Sequence, residues 1–313
     1  MDLVGLMQRC SVETACTADE KLVFDRAAYS PAPSAPKGGA ITDENADPPS
    51  RKGKAQLKLL KKGRRLSGSV SVSCLASRRV ALKVASSPLE AAREVAALQK
   101  LYSPFVVRAL AIERVDGGAY LALEYCAHGA LLDVLESTPS SGSKRRFDMA
   151  EAAHAGACIF AALSALSAAA IAHRNLEPGN LLVASFAQGG APTLVLADFA
   201  QAVFVTGPCT GASDKSGSPA YGAPEQRVGE HGSAVDVYSA AAVIYRCVFG
   251  REPAHDGDAL EMLRQAGDDD DGPRAENFRD LLAQALQADP KDRLRVADAR
   301  QHPFLAAALR RLD

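Results

Sequence analysis

The stretch I-A-H-R-N-L-E-P-G-N-L-L-V, residues 171–183, constrains this chain more than any other. It gathers His173, Arg174, Asn175, Glu177 and Asn180 into one short segment. Ahead of it, F-D-M-A-E-A-A-H-A-G-A-C-I-F-A-A-L-S-A-L-S-A-A-A-I-A reads as an apolar helix, and behind it comes L-V-L-A-D-F-A. His154 lies on that helix with no metal-like partner spaced near it and reads as structural. At 313 residues and 47% hydrophobic, the chain can surround this segment with one large two-lobed domain or with two modest ones.

Lysine and arginine number 36 against 37 aspartate and glutamate. The formal charge of -1 gives no global electrostatic reason to expect nucleic acid or an anionic membrane as partner. The seven cysteines are scattered, odd in number and without a C-x-x-C pair, which argues against a disulfide framework and a zinc site. The N-terminus M-D-L-V-G-L-M-Q-R-C has no signal-peptide core, and no later stretch is expected to approach the length of a membrane span. The expected location is a reducing one, cytoplasmic or nuclear.

Residues 1–53, rich in Pro, Ser, Ala and Gly without an apolar period, are expected to form a flexible tail, and 54–313 to form the folded domain. From Lys54 onward short β-type runs are broken by Gly63 and Gly68. Ser87 as cap, Pro88 at the first helical position and Glu90 three residues after the cap predict a helix start. On that helix Glu94 shares a face with Leu98 and Leu101. Residues 103–135 then read as two strands joined at Gly117-Gly118 and running into a helix. The acidic run Asp268–Asp271 reads as a solvated loop.

Taken in order from about residue 55 to 308, these segments resemble the eukaryotic protein kinases of the Ser/Thr type. H-R-N-L-E-P-G-N resembles their catalytic loop H-R-D-L-x-x-x-N, with Asn175 at the position of the catalytic Asp and Glu177 at that of a Lys near the transferred phosphate. Gly63, Arg65, Gly68 and Val70 match the phosphate-covering glycine loop, its middle glycine replaced by arginine. Lys83 in V-A-L-K matches the strand lysine and Glu94 its helix partner, although 11 residues between them is short and implies a trimmed helix. Leu123 matches the gatekeeper position and Glu124, Tyr125 and Cys126 the hinge to adenine, with Val70, Ala81 and Leu182 as apolar walls. D-F-A at 198–200 departs from D-F-G at Ala200, and Asp198 and Asn180 match the magnesium ligands. Ser218 in G-S-P-A-Y-G-A-P-E, Glu225 with Arg293, and Asp236 match positions that brace the large lobe.

The resemblance implies an α+β fold of two lobes, a small β-rich lobe over about 54–126 and a mainly helical lobe over about 127–313. It implies ATP and Mg²⁺ as cofactors and a protein as partner or substrate, an active kinase among the candidates. The four altered elements Arg65, Asn175, Glu177 and Ala200, set against retained Lys83, Glu94, Asn180 and Asp198, imply a pseudokinase: a nucleotide-binding scaffold poorly equipped to transfer phosphate. The alternatives are a slow Ser/Thr protein kinase, in which Glu177 could serve as a displaced base or further metal ligand, and an interaction module that binds no nucleotide.

Overall fold

The computed structural model describes residues 65–312 apart from 68, 76–77, 86, 116–117, 138–144, 188, 209–217, 228, 230 and 254–271. The expected tail, Gly63, Gly68, Gly117 and the run Asp268–Asp271 lie outside the described residues.

The small lobe is a five-stranded antiparallel sheet of β1 (Arg65–Ser67), β2 (Val70–Leu75), β3 (Arg78–Ala85), β4 (Ala109–Val115) and β5 (Gly118–Glu124), in the order β1-β2-β3-β5-β4. Successive side chains of a strand point to opposite faces, and β3 shows what that does. Val80 and Leu82 pack with Ala122 on one face, while Ala81 and Ala85 join the main core on the other. Lys83 falls in register with Ala81 and Ala85, so the alternation turns its ammonium inward.

Helix α1 (Pro88–Leu98) packs on that inner face. Ser87 caps it, its Oγ accepting from the Glu90 N–H at 3.4 Å, with Pro88 preset for the first turn. At 11 residues the helix is short, and Ala91, Glu94, Val95 and Leu98 form its buried stripe.

Below lie α2 (Leu131–Glu136), α3 (Met149–Ala168), α4 (Ala234–Phe249), α5 (Pro273–Ala285), α6 (Val296–Ala299) and α7 (Pro303–Leu309). α3 opens with a reciprocal cap, in which Asp148 accepts from the Ala150 and Glu151 N–H groups and the Glu151 carboxylate accepts from the Asp148 N–H. Contrary to the sequence expectation, α3 at 20 residues is long and apolar enough to cross a membrane. An all-round apolar helix also serves as the centre of a large core, and α3 is mostly buried among β8 (Pro192–Leu196), α4 and α7. A bidentate pair fixes the base of this lobe: Arg293 Nη1 and Nη2 meet Glu225 Oε1 and Oε2 at 2.5 and 3.0 Å, and Nη1 also donates to the Ala234 carbonyl at 3.0 Å.

Two small ladders set the centre. β6 (Ile171–Ala172) pairs with β9 (Val203–Phe204), and β7 (Leu181–Phe186) pairs with β8. The polar segment 173–180 leaves β6 and enters β7, while 197–202 leaves β8 and enters β9. The same two ladders therefore close both segments at both ends, and this holds the polar residues side by side.

Candidate functional site

Lys83, brought by β3, meets a carboxylate from each side. Its Nζ donates to Glu94 Oε1 at 2.9 Å and to Asp198 Oδ1 at 2.8 Å, and Glu94 Oε2 lies 2.8 Å from the same nitrogen. Glu94 is fully buried. Burial alone would lower the Lys83 ammonium, but the two carboxylates outweigh it and hold its pKa above the ordinary value. Burial raises the Asp198 carboxyl less than Lys83 lowers it, so Asp198 stays ionised. At Glu94 burial pulls the other way and pushes the carboxyl up, yet an ammonium against both its oxygens fits the ionised pair.

The turn carrying Asp198 is strained and braced. Asp198 has φ 65, a left-handed backbone that costs a non-glycine residue about 1 kcal/mol or more. Its Oδ1 caps the following turn by accepting from the Ala200 N–H at 3.3 Å. Phe199 is fully buried, edge-on to the His173 ring with centroids 4.9 Å apart.

His173 is held from both ring nitrogens. Nδ1 accepts from the Asn175 N–H at 3.3 Å, so Nε2 carries the proton that it donates to the Ala197 carbonyl at 3.1 Å. Burial pushes its pKa down to about 4 and keeps the ring neutral. Asp236, on α4, accepts from the backbone N–H groups of His173 and Arg174 at 2.7 and 2.8 Å. Arg174, at φ 68, sends Nε to the Gln201 carbonyl at 2.8 Å, and its own carbonyl accepts from Gln226 Nε2 at 3.0 Å.

Asn180 Nδ2 donates to the Asn175 carbonyl at 2.9 Å, which leaves Asn180 Oδ1 as its free acceptor. Asp198 Oδ2 is likewise outside the Lys83 contact. These two oxygens are a hard donor set that fits Mg²⁺, a cation that takes one or two protein ligands and completes its shell with water and phosphate. Among the described residues no group of three or more His, Cys, Asp or Glu offers a rival metal site. Ala81 and Leu123 are buried and paired across β3 and β5, Val70 and Leu182 pack half-buried against the same core, and Glu124 ends β5. Cys126 follows, half-buried, its thiol pushed up to about 11 by burial and then by the Glu124 charge.

Two of the altered positions adjoin these groups, Asn175 through its carbonyl to Asn180 and Ala200 through its N–H to Asp198. Arg65 lies exposed in β1, paired with Ser71. Asn175 follows the strained Arg174, half-buried. Glu177 turns toward a cleft of about 260 Å³ with Tyr221 and Glu252, and among the described residues no hydrogen bond joins its carboxylate to Asn180 or Asp198. A turn closes one wall of this cleft, where the Ser218 carbonyl accepts from the Gly222 N–H at 2.7 Å. A Cβ on Gly222 would meet that same oxygen at 2.7 Å. Sequence reading did not single out Tyr221, Gln226, Glu252 or Arg246 as site residues. Arg246, on α4, is buried and pairs with Glu136 of α2. The Arg246–Glu136 pair and the cleft lining join segments far apart in the chain, so no local spacing signals these residues.

The family model for the protein kinase domain matches residues 67–305. A serine/threonine-protein kinase of Drosophila persimilis is 32% identical over 222 residues, 67% of this chain and 28% of its own length. Calcium-dependent protein kinase 9 of Oryza sativa subsp. japonica is 30% identical over 247 residues, 76% of this chain and 42% of its own. The calcium/calmodulin-dependent protein kinase type II alpha chain of Drosophila melanogaster is 29% identical over 224 residues, 68% of this chain and 40% of its own. The chain thus spans less than half the length of these relatives.

Proposed function

This chain belongs to the protein kinase family, and on that footing we propose that it binds Mg-ATP between its lobes as a pseudokinase, a regulatory scaffold for a protein partner. The observation that carries the reading is a contrast within one site. Lys83, Glu94 and Asp198 are joined at 2.8 to 2.9 Å, while Asn175 and Glu177 stand where proton acceptance and charge neutralisation are needed.

Ala81, Leu123, Val70 and Leu182 would flank the adenine, and the backbone at Glu124 and Cys126 would meet its edge. Lys83 would hold the α- and β-phosphates, and Asp198 and Asn180 would hold Mg²⁺, which supplies neutralisation of the phosphate charge. Transfer is a different matter. The Asn175 amide oxygen can orient a hydroxyl but cannot take its proton, and general-base assistance is worth roughly 10²- to 10⁴-fold. Glu177 adds an anion where electrostatic stabilisation is most of catalysis. Either change alone leaves a slow enzyme; together they favour binding without turnover. The closed Lys83–Glu94 pair supports a second reading, a slow Ser/Thr protein kinase.

A thermal-shift titration with ATP, with and without Mg²⁺, on the wild type and on K83A and D198A tests this, followed by a radiolabelled transfer assay. A Mg-dependent rise that both variants lose, without phosphate incorporation, is expected. Incorporation that disappears in D198A would establish the slow kinase, and no shift at millimolar ATP would overturn nucleotide binding altogether.

A further inference from the structure

The formal charge of -1 conceals a division along the chain. Residues 51–126, the run into β1 and the small lobe, carry 15 lysines and arginines against 5 aspartates and glutamates. Residues 127–313 carry 17 against 24, and residues 1–50 carry 4 against 8. The cationic stretch is thus bounded on both sides by acidic ones, and the small lobe forms a positive pole.

The surface of that lobe sharpens the contrast. Among its described carboxylates, Glu94 and Glu113 are buried and Glu124 lies 3.6 Å from Arg108, which leaves Glu90 exposed on α1. Against it stand five exposed cations, Arg65, Arg79, Lys100, Arg108 and Arg114. Arg79 lies over the Tyr125 ring at 5.5 Å and Lys100 over the Phe204 ring at 4.6 Å, contacts that hold a cation in place without cancelling its charge.

The run into β1, R-K-G-K-A-Q-L-K-L-L-K-K-G-R-R-L over residues 51–66, holds eight of the cations and no acid. Between them stand Leu57, Leu59, Leu60 and Leu66, the last 41% exposed in β1, and no aromatic residue. That composition selects among polyanions. Single-stranded nucleic acid is held by aromatic side chains that stack on its bases. An anionic bilayer uses both parts of the run, taking cations at its headgroups and leucines at the acyl boundary.

We propose that the small lobe, with the run 51–66, is a peripheral docking surface for an anionic phospholipid bilayer. Each lysine or arginine near such a surface strengthens binding about fivefold. The same field repels the acidic large lobe, so the molecule meets the membrane small lobe first. Docking of this kind needs no nucleotide and no spanning helix, and α3 stays in the core.

The test is sedimentation of the full chain, without nucleotide, with vesicles of phosphatidylcholine alone or with phosphatidylserine added. Binding to the phosphatidylserine vesicles alone, at about 0.1 M salt and lost by about 0.5 M, is expected. R51Q/K52Q/K54Q should weaken it at least about tenfold, and R79Q/R114Q, which alters two exposed side chains of the folded lobe, about fivefold or more. R310Q/R311Q removes two exposed cations from the large lobe and should leave binding unchanged. Equal sedimentation with both vesicle types, none with either, or unchanged binding in either of the first two variants would overturn the proposal. A loss in R310Q/R311Q as large as in R79Q/R114Q would overturn it too, since net charge rather than the small lobe would then decide. Displacement from the vesicles by duplex DNA at equal phosphate would assign the pole to nucleic acid instead.

Discussion

Asp236→Asn will destabilise the protein more at pH 4 than at pH 7, by about 2 kcal/mol beyond whatever constant cost the lost acceptor brings. Two fully buried groups in contact through the backbone of residues 173 and 174 set this. Burial raises the Asp236 carboxyl from 3.8 to about 6, against the pull of its two backbone donors and Arg174. Burial lowers the His173 ring from 6.5 to about 4. The folded state therefore holds an extra proton on Asp236 between about pH 4 and 6, so this group's contribution is full in acid and is lost as pH rises through about 6. For His173 the unfolded state holds the extra proton, and stability is lost as pH falls from 6.5 toward 4. At about 1.4 kcal/mol per pH unit over little more than two units, each contributes 2 to 3 kcal/mol, and in the wild type they nearly cancel. Asn removes the compensating carboxyl and leaves the histidine slope bare. Urea unfolding of wild type and D236N at intervals from pH 4 to 7 reads the difference directly, and curves that stay parallel across that range would refute a raised Asp236.

Removing one partner of the Arg293–Glu225 pair, as in E225A, strands a buried guanidinium and is expected to cost about 3–5 kcal/mol, while E225L/R293M, which removes both charges, costs less than either single change; chemical denaturation of all four proteins checks this. Restoring the missing groups, N175D/E177K should raise phosphate incorporation by at least about 10²-fold over wild type, with N175D alone giving part of it. A double variant with no gain in a radiolabelled assay would place the block in transfer elsewhere than at these two residues.

What was legible in the sequence follows from how local each signal is. The start of α1 was readable because Ser87, Pro88 and Glu90 act within one turn. The ionised side chains around Lys83 were placed by family resemblance, and the strand alternation of Ala81, Lys83 and Ala85 is the physical reason that the lysine points inward. α3 was readable as a helix, but its full apolar length was undervalued because burial by other elements, not composition, decides whether such a helix is a core or a span. Tyr221, Arg246 and Glu252 were not legible as a group. Their relation depends on segments distant in the chain, the 218–221 turn and the stretch just past α4, lining one cleft, which no periodicity encodes.

The Lys83 ammonium reaches a carboxylate 115 positions further along the chain, joining β3, α1 and the strained turn at Asp198. Such a bridge gives the side chain a structural duty whatever chemistry the site performs. Lys83, Glu94 and Asp198 are tied to one another by charge, whereas among the described residues no hydrogen bond ties the Glu177 carboxylate to them. The presence of a catalytic-looking carboxylate at 198 is thus explained by mechanics before catalysis is invoked. It follows that K83A will melt at a lower temperature even without ligand, because it leaves the buried Glu94 carboxylate uncompensated, while D198A removes one of the two carboxylates that Lys83 meets. The meaningful quantity in either variant is the increment that nucleotide adds to its own baseline.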